Sequence, residues 1–161
     1  MSTETPTHAI RIVDFPETKV AVLQHHGDPK RIGDSIQTFV AWRKQQHLHP
    51  SEHATFNIFY NDPYRVASND FRIDLCVAVD RDMRDDSLGI ATRTLPANRC
   101  AVLRHVGTDN GLWQSVAYLY SEWLPQSGER AGDFPLFAQR VRFPPDVPEQ
   151  EAVVDIFLPL K

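Results

Sequence analysis

Two histidines end the two most similar phrases of the chain. VAVLQHHGD (Val20–Asp28) and CAVLRHVGTD (Cys100–Asp109) place His25 and His105 at equivalent positions, shortly before a glycine. A pair of histidines can serve acid–base catalysis or bind a metal. Because each histidine ends a strand pattern next to a turn, we favour the interpretation that each one bonds a local backbone group.

A second group of histidines lies in HLHPSEH, which carries His47, His49 and His53. A zinc site would need three or four ligands held in a fixed loop. Since no other ligand cluster accompanies these residues, we interpret the segment as a solvated loop and predict neither a metal nor a cofactor. Motifs of hydrolases, nucleotide-binding loops and zinc proteases are also absent from the sequence, which favours a protein that is not an enzyme.

Residues that could hold a flat organic molecule occur on several predicted elements. In the strand around FAQRV, alternation places Ala138 and Arg140 on one face and Phe137 and Val141 on the other. We expect Phe137 and Val141 to pack against a helix, so that Ala138 and Arg140 face a cleft. Arg140 is then either a solvated cation or a partner for an acidic group of a ligand.

The matching strand of the first half contributes Asn57 and Phe59 as candidates. Trp113 and Tyr118, on the second predicted helix, could stack on a ligand or simply fill the core. Asp74 and Asp155 are matched acids on the two last strands, and such acids are usually solvated or paired with an arginine. We keep Asp74 as a further candidate, because it could supply a carboxylate to the cleft.

These residues lie on elements that occur twice along the chain. Each half reads strand, helix, strand, strand, with the helix of the first half running to about Gln46 and the second ending near Leu124–Pro125. The last two strands are expected at Thr55–Tyr60 and Phe71–Val79 in the first half. In the second half they are expected at Leu136–Phe143 and Ala152–Leu160, and Gly89–Leu95 leads into that half as an extra or extended strand.

This pattern predicts an α+β fold of duplicated β-α-β-β units with pseudo-twofold symmetry. Two such units are expected to share one core and to leave a ligand cleft between the halves. We expect a single domain over residues 1–161, with one repeat at about 10–80 and the other at about 88–161. Cys76 and Cys100 are expected to be buried and reduced, although the sequence leaves a disulfide open.

Composition limits the classes of partner. The net charge is −4 at a sequence pI of about 5.9, which argues against direct nucleic-acid binding by phosphate neutralisation. The apolar runs are too short to span a bilayer, and the N-terminus lacks the pattern of a signal peptide. We therefore expect a cytoplasmic protein without a membrane partner.

The combination of these phrases resembles the GyrI-like small-molecule-binding family. The resemblance rests on KVAVLQHHG with RCAVLRHVG, on IFYNDP, YSEWLPQSG and FPLF, and on the ending VVDIFLPLK, and it covers nearly the whole chain. It implies a curved antiparallel sheet with helices on one side. It also implies the effector-binding domain of AraC-type and MerR-type regulators, which binds bulky and often cationic aromatic molecules. Because only a short tail precedes Ile10, the chain is similar to the free-standing members, one of which inhibits DNA gyrase.

One position departs from the family pattern. Where members often read PxFExY, this chain reads PLFAQR, so that the pocket glutamate of the family falls on Ala138 and an aromatic position falls on Arg140. A buried carboxylate attracts cations, and its absence here leaves the charge preference open, so that a neutral or anionic aromatic ligand becomes an alternative to a cation.

Three functions follow from these observations, and the first is favoured. It is a small-molecule-binding protein that senses or sequesters its ligand in transcriptional regulation or in resistance to toxins and drugs. The second is an interaction module that contacts DNA gyrase or a separately encoded regulator. The third is a hydrolase of reactive hydrophobic compounds, as the resemblance to ring-opening relatives implies; its obvious acid is missing at Ala138.

Overall fold

The computed structural model describes residues 10–161, and the chain divides into two compact units. The first unit is Glu17–Pro96, and the second combines Ala97–Lys161 with residues 10–16. The strands are β1 (Arg11–Phe15), β2 (Thr18–His26), β3 (Thr55–Phe59), β4 (Arg72–Ala78), β5 (Ile90–Leu95), β6 (Asn98–Val106), β7 (Phe137–Arg142) and β8 (Val153–Pro159). The helices are α1 (Ile32–Gln45), α2 (Asp109–Tyr118) and α3 (Leu124–Ser127), with a π-helical turn at Leu119–Trp123 between the last two.

The first unit has four antiparallel strands in the order β3-β4-β2-β5. Helix α1 lies on one face of this sheet, where Phe39 and Trp42 pack into a core with Leu23, Leu75 and Val77. Since the side chains of directly paired residues lie on the same face, the pairing of Leu23 with Leu75 identifies the helix-bearing face.

The second unit repeats this arrangement with the order β1-β6-β8-β7, and α2 lies over β6. The α-helical hydrogen bonds give way to a π-helical turn at Leu119–Trp123, directly before Pro125. Proline has no backbone N–H and its ring crowds the preceding turn, which accounts for a change of pitch at this point. Within each unit, the antiparallel sheet and separate helix confirm the predicted α+β class.

The strand that leads into each repeat was not fully predicted. We expected Gly89–Leu95 to extend the second half, but β5 pairs with β2 and belongs to the first unit. In the same way β1, at the start of the described chain, pairs with β6 of the second unit. Such pairings join segments far apart in sequence, and local patterns carry no information about them.

Not all the apolar side chains of α1 face the core. Trp42 and Arg43 are buried with Phe39, whereas Ile36 and Val40 are exposed. Cys76 and Cys100 are free and buried, as predicted. None of the helices described in residues 10–161 has the length and apolar character needed to cross a membrane.

Candidate functional site

The strand β7 presents Ala138 and Arg140 on the face that carries α2. Arg140 pairs with Val154, which pairs in turn with His105, and the ring of His105 contacts Ser115 on α2. The predicted assignment of the two faces was therefore wrong, since Phe137 lies on the opposite face. There its ring stacks on Phe157 at 4.9 Å between centroids and meets Phe15 edge-on at the same distance.

The reason for the reversal is that both faces of β7 are apolar at its start, so alternation alone does not orient the strand. A bulge between Arg140 and Arg142 then breaks the alternation. Val141 lies in this irregularity and is 38% exposed, which contradicts the expectation that it packs against a helix.

Arg140 forms a two-pronged ion pair with Asp109 in the first turn of α2. Its guanidinium donates to Oδ1 at 2.7 Å and to Oδ2 at 3.3 Å. The side chain of Arg140 is 19% exposed and that of Asp109 is 64% exposed. An acidic residue is also favourable at a helix N-terminus, because the helix dipole is positive there. The positive charge of Arg140 is thus balanced by a carboxylate that faces solvent.

A cavity of about 240 Å³ lies beside this ion pair, entirely within the second unit. Its wall includes both members of the pair and mixes two cations, two carboxylates and an aromatic ring, contributed by Asp109, Arg140, Arg142, Phe143 and Glu149. The formal charges of these side chains sum to zero. The cavity therefore offers hydrogen-bonding groups of both kinds without a net charge.

Asn57 and Phe59 lie on the corresponding face of the first unit. They pair with Leu75 and Ile73, and Leu75 belongs to the core beneath α1. Both side chains are buried. These two candidates thus share the helix-bearing face of their own sheet.

The aromatic candidates on α2 differ in exposure from the core residues of that helix. Trp113 and Tyr118 are half-buried, whereas Leu112 and Val116 are fully covered. Tyr120, in the π-helical turn, is exposed. The six ligand-binding candidates therefore all lie on the helix-bearing face of a sheet or on α2, and their role in binding stays a prediction.

Each of the paired histidines bonds a nearby backbone carbonyl, as predicted. His25 Nε2 lies 3.1 Å from the carbonyl oxygen of Asp28, and His105 Nε2 lies 2.9 Å from that of Thr108. Because a carbonyl only accepts, Nε2 carries the proton in each case, and Nδ1 of the neutral ring is an acceptor.

Each ring also contacts a helical serine that sequence reasoning missed. Nδ1 lies 2.8 Å from Ser35 Oγ in the first unit and 3.3 Å from Ser115 Oγ in the second. The signal was available, since the serines recur in the sequence at the same distance from their histidines. A serine beside a histidine can act as a nucleophile with its base. Here the pair occurs in both units, part-buried in the first and buried in the second, which indicates that it joins the helix to the strand.

The histidines of the HLHPSEH segment take separate local roles. His53 lies 3.0 Å from the carbonyl oxygen of Ala78, and His49 contacts Ser51. Within residues 10–161, no group of three or more His, Cys, Asp or Glu side chains is placed to hold a metal ion.

Asp74 lies on the opposite face of the first sheet from α1 and from the other candidates. Its side chain is completely buried, and Oδ2 accepts a hydrogen bond of 2.8 Å from the Tyr60 hydroxyl. Burial raises the pKa of the Asp74 carboxyl above its ordinary value, against the opposing effects of Tyr60, Arg72 and Arg93. Burial and the bond to Asp74 raise the pKa of Tyr60 to about 12, so that Tyr60 remains a donor at neutral pH.

The corresponding acid of the second unit has a different environment. Asp155 accepts two hydrogen bonds from Arg104 on the neighbouring strand, at 2.8 and 3.0 Å. In the first unit the residue across from Asp74 is Gln24, which carries no charge. Asp155 is thus neutralised one to one, as predicted for such an acid, whereas Asp74 is not.

Comparison with known proteins identifies the family. Residues 8–161 match the GyrI-like small molecule binding domain. The chain belongs to the GyrI-like family. It is 33% identical over 152 residues to the probable transcriptional regulator YgiV of Escherichia coli K12, covering 94% of this chain and 95% of that protein.

Solved structures of other proteins share the fold at low sequence identity. The C-terminal domain of EcmrR superposes with a TM-score of 0.75 at 15% identity, covering 94% of this chain and 96% of that domain. EcmrR has also been seen in a complex with DNA, and this chain spans 57% of the EcmrR chain in that structure. SAV2435, solved with tetraphenylphosphonium bound, has a TM-score of 0.54 at 13% identity, covering 94% of this chain and 93% of SAV2435.

Proposed function

We propose that this protein binds a bulky, partly aromatic small molecule in the cytoplasm and acts as a sensor or sequestering factor in transcriptional regulation or drug resistance. The observation that carries the proposal is the match of nearly the whole chain to a small-molecule-binding domain. The relative YgiV, described as a probable transcriptional regulator, supports the regulatory part.

Apolar and aromatic side chains on the helices support a hydrophobic ligand. Ile36 and Val40 on α1 are exposed, and Trp113 and Tyr118 on α2 are half-buried. Binding is favourable when a ligand removes exposed aliphatic and aromatic groups from water, and aromatic rings add stacking interactions. We propose that Asn57 and Phe59 belong to a binding surface of the first unit, and Ala138 to one of the second.

The charges favour a neutral or anionic ligand over a cation. Position 138 holds an alanine that is fully buried, so that no carboxylate is available there to offset the cost of desolvating a cation. Arg140 presents a guanidinium whose charge Asp109 balances from the solvent side. A neutral ligand leaves this pair intact, and an acidic ligand can replace Asp109 at Arg140.

A matched series of three tetrahedral aryl compounds tests the proposal: tetraphenylphosphonium, neutral triphenylphosphine oxide and tetraphenylborate. A ligand present at a hundred times its Kd should stabilise the fold by about 2.7 kcal/mol, which a thermal-shift measurement detects. We expect larger shifts with the neutral and anionic compounds than with the cation. No shift with any of the three would refute small-molecule binding of this class, and mass spectrometry of the recovered ligand separates binding from turnover.

Two variants and one control locate the site. Arg140→Ala should weaken the binding of tetraphenylborate by about tenfold and change the Kd of triphenylphosphine oxide by less than about twofold. Ala138→Glu should move the preference towards tetraphenylphosphonium, provided that its melting curve remains cooperative. Arg31→Ala is the control, because it removes an exposed arginine of the other unit that is paired with Asp34. It should leave the Kd of all three compounds unchanged. Equal losses for all three ligands in Arg140→Ala would show that Arg140 supports the fold without recognising charge.

A further inference from the structure

The cluster around Asp74 in the first unit has an unusual balance of charges. Two arginines approach the one buried carboxylate: Arg72 Nε lies 3.8 Å from Oδ1 and Arg93 Nη1 lies 3.6 Å from Oδ2. Both distances are too long for hydrogen bonds. If Asp74 is ionised the cluster carries one surplus positive charge, and if it is protonated the surplus is two.

Neither arginine donates a hydrogen bond to Asp74, which is bonded at only one of its two oxygens. The only hydrogen bond to its carboxylate among the described residues comes from Tyr60, to Oδ2. Oδ1 of Asp74 and Nε of Arg72 are both buried and both lack a hydrogen-bond partner within residues 10–161. Buried polar atoms without hydrogen-bond partners are rare, and here the two atoms face each other at 3.8 Å.

The orientation of Arg72 is fixed by a second contact. Its guanidinium lies over the ring of Tyr60, 3.8 Å from the ring centroid, in a cation–π arrangement. The Arg72 side chain is 31% exposed and that of Arg93 is 51% exposed, so that solvent reaches both. Two partly exposed guanidinium groups within 4 Å of one carboxylate are thus held close together, and no acceptor within residues 10–161 forms a hydrogen bond with either of them.

We propose that Arg72 and Arg93 bind an oxyanion group of a small molecule, a carboxylate or a phosphate monoester, with Asp74 and Tyr60 positioning the two arginines. Guanidinium groups bind such oxyanions with paired, charge-assisted hydrogen bonds. The second unit lacks this property, because Asp155 accepts two short hydrogen bonds from Arg104 and neutralises it. The proposed site lies on the face of the first sheet opposite α1, and it does not rest on the proposed function.

Titration of the isotope-labelled protein with inorganic phosphate, benzoate and neutral benzamide, at constant ionic strength, tests this proposal. Chemical-shift changes give a Kd for each compound. We expect saturable binding of phosphate, benzoate or both, and none of benzamide. Binding of both anions indicates a general oxyanion site, and binding of one identifies the source as a phosphate or a carboxylate. The proposal would be overturned if benzamide bound with a Kd as low as that of benzoate. It would also be overturned if none of the three probes showed saturable binding.

Substitutions then test the residues. Arg93→Gln and Arg72→Gln should each raise the Kd of the anion that binds by about tenfold, since each removes a charge-assisted pair of hydrogen bonds. Arg84→Gln is the matched control, because Arg84 is an exposed arginine of the same unit that is paired with Asp86. It should stay within about twofold of the native Kd. An equal loss in the control would assign the binding to general surface charge. Because the Arg93 side chain is 51% exposed, Arg93→Gln should leave the fold intact, so the test stands even if the Arg72 variant is unstable.

Discussion

Asp109 sets the charge that a ligand meets at Arg140, and Asp109→Asn tests this directly. The substitution keeps the shape of the side chain and one acceptor for the guanidinium, but it removes the negative charge that lies 2.7 Å from Arg140 Nη1. An anion bound to Arg140 would lie roughly 5 Å from the Asp109 carboxylate. The repulsion at that distance is between about 1 and about 3 kcal/mol for effective dielectric constants between about 80 and about 20.

The exposure of Asp109 selects the lower end of this range. Since its side chain is 64% exposed, water screens most of the interaction. We expect Asp109→Asn to tighten the binding of tetraphenylborate by about fivefold, corresponding to about 1 kcal/mol. Triphenylphosphine oxide should change by less than about twofold, and tetraphenylphosphonium should bind more weakly. The gain for the anion should shrink as salt is raised, because salt screens exposed charges.

Calorimetric titration of the three compounds measures these changes, and Asp34→Asn is the matched control. It makes the same change in net charge on an exposed helical aspartate that is paired with Arg31. If all three compounds gain or lose affinity together, the substitution acts through the fold and the electrostatic reasoning fails. A fivefold gain for the anion in Asp34→Asn as well would show that only the net charge of the protein matters.

Three further predictions concern stability. Ser115→Ala leaves a buried histidine acceptor unpaired and should lower the free energy of unfolding by about 1–3 kcal/mol, whereas Ser35→Ala, at a half-buried site that water reaches, should cost less; equal losses in urea unfolding would contradict this. Gly111→Ala places a Cβ 2.9 Å from Cε1 of His105 and should lower the free energy of unfolding by about 1–3 kcal/mol. Gly33→Ala, whose new Cβ has nothing within 4 Å, should instead raise it by about 0.5–1 kcal/mol. The pKa of Asp74 is raised in the folded protein, so the folded state holds a proton more tightly than the unfolded state, and the free energy of unfolding should fall as pH rises through that pKa; Asp74→Asn should flatten this slope in a series of urea unfolding curves, and an unchanged slope would assign it to other groups.

Much of each unit could be predicted because the information is local. The helix of the first half was expected to end at about Gln46, and α1 ends at Gln45. The strand expected at Leu136–Phe143 is observed at Phe137–Arg142. Hydrophobic periodicity and turn residues determine such boundaries within short segments of the chain. The duplication strengthened each assignment, since the same pattern had to hold twice.

The pairing of β1 and β5 and the faces of β7 could not be predicted, for two physical reasons. Strands β1 and β5 pair with partners from the other repeat, and no short-range pattern distinguishes these partners from nearer ones. In β7, Phe137 and Ala138 are both buried, so the two faces give the same hydrophobic signal. The partner of Arg140 could not be predicted either, because Asp109 lies 31 residues away in the sequence, at the start of α2.

Comparing the two repeats position by position separates structural residues from candidates for function. His25 and His105 kept both their serine and their carbonyl contacts, so the same bonds were needed twice and belong to the architecture. Asp74 and Asp155 kept the acid but not its partner, since arginine at position 104 corresponds to glutamine at position 24.

The loss of that arginine should leave the first unit with a poorly compensated buried carboxylate, which costs free energy. Instead, Tyr60 donates to it and two arginines from other positions surround it. A purely structural replacement would need one arginine in hydrogen-bonding contact, as Asp155 has. The presence of two that make none is therefore better explained by an acceptor supplied from outside the protein, and this difference between equivalent positions is visible in the sequence itself.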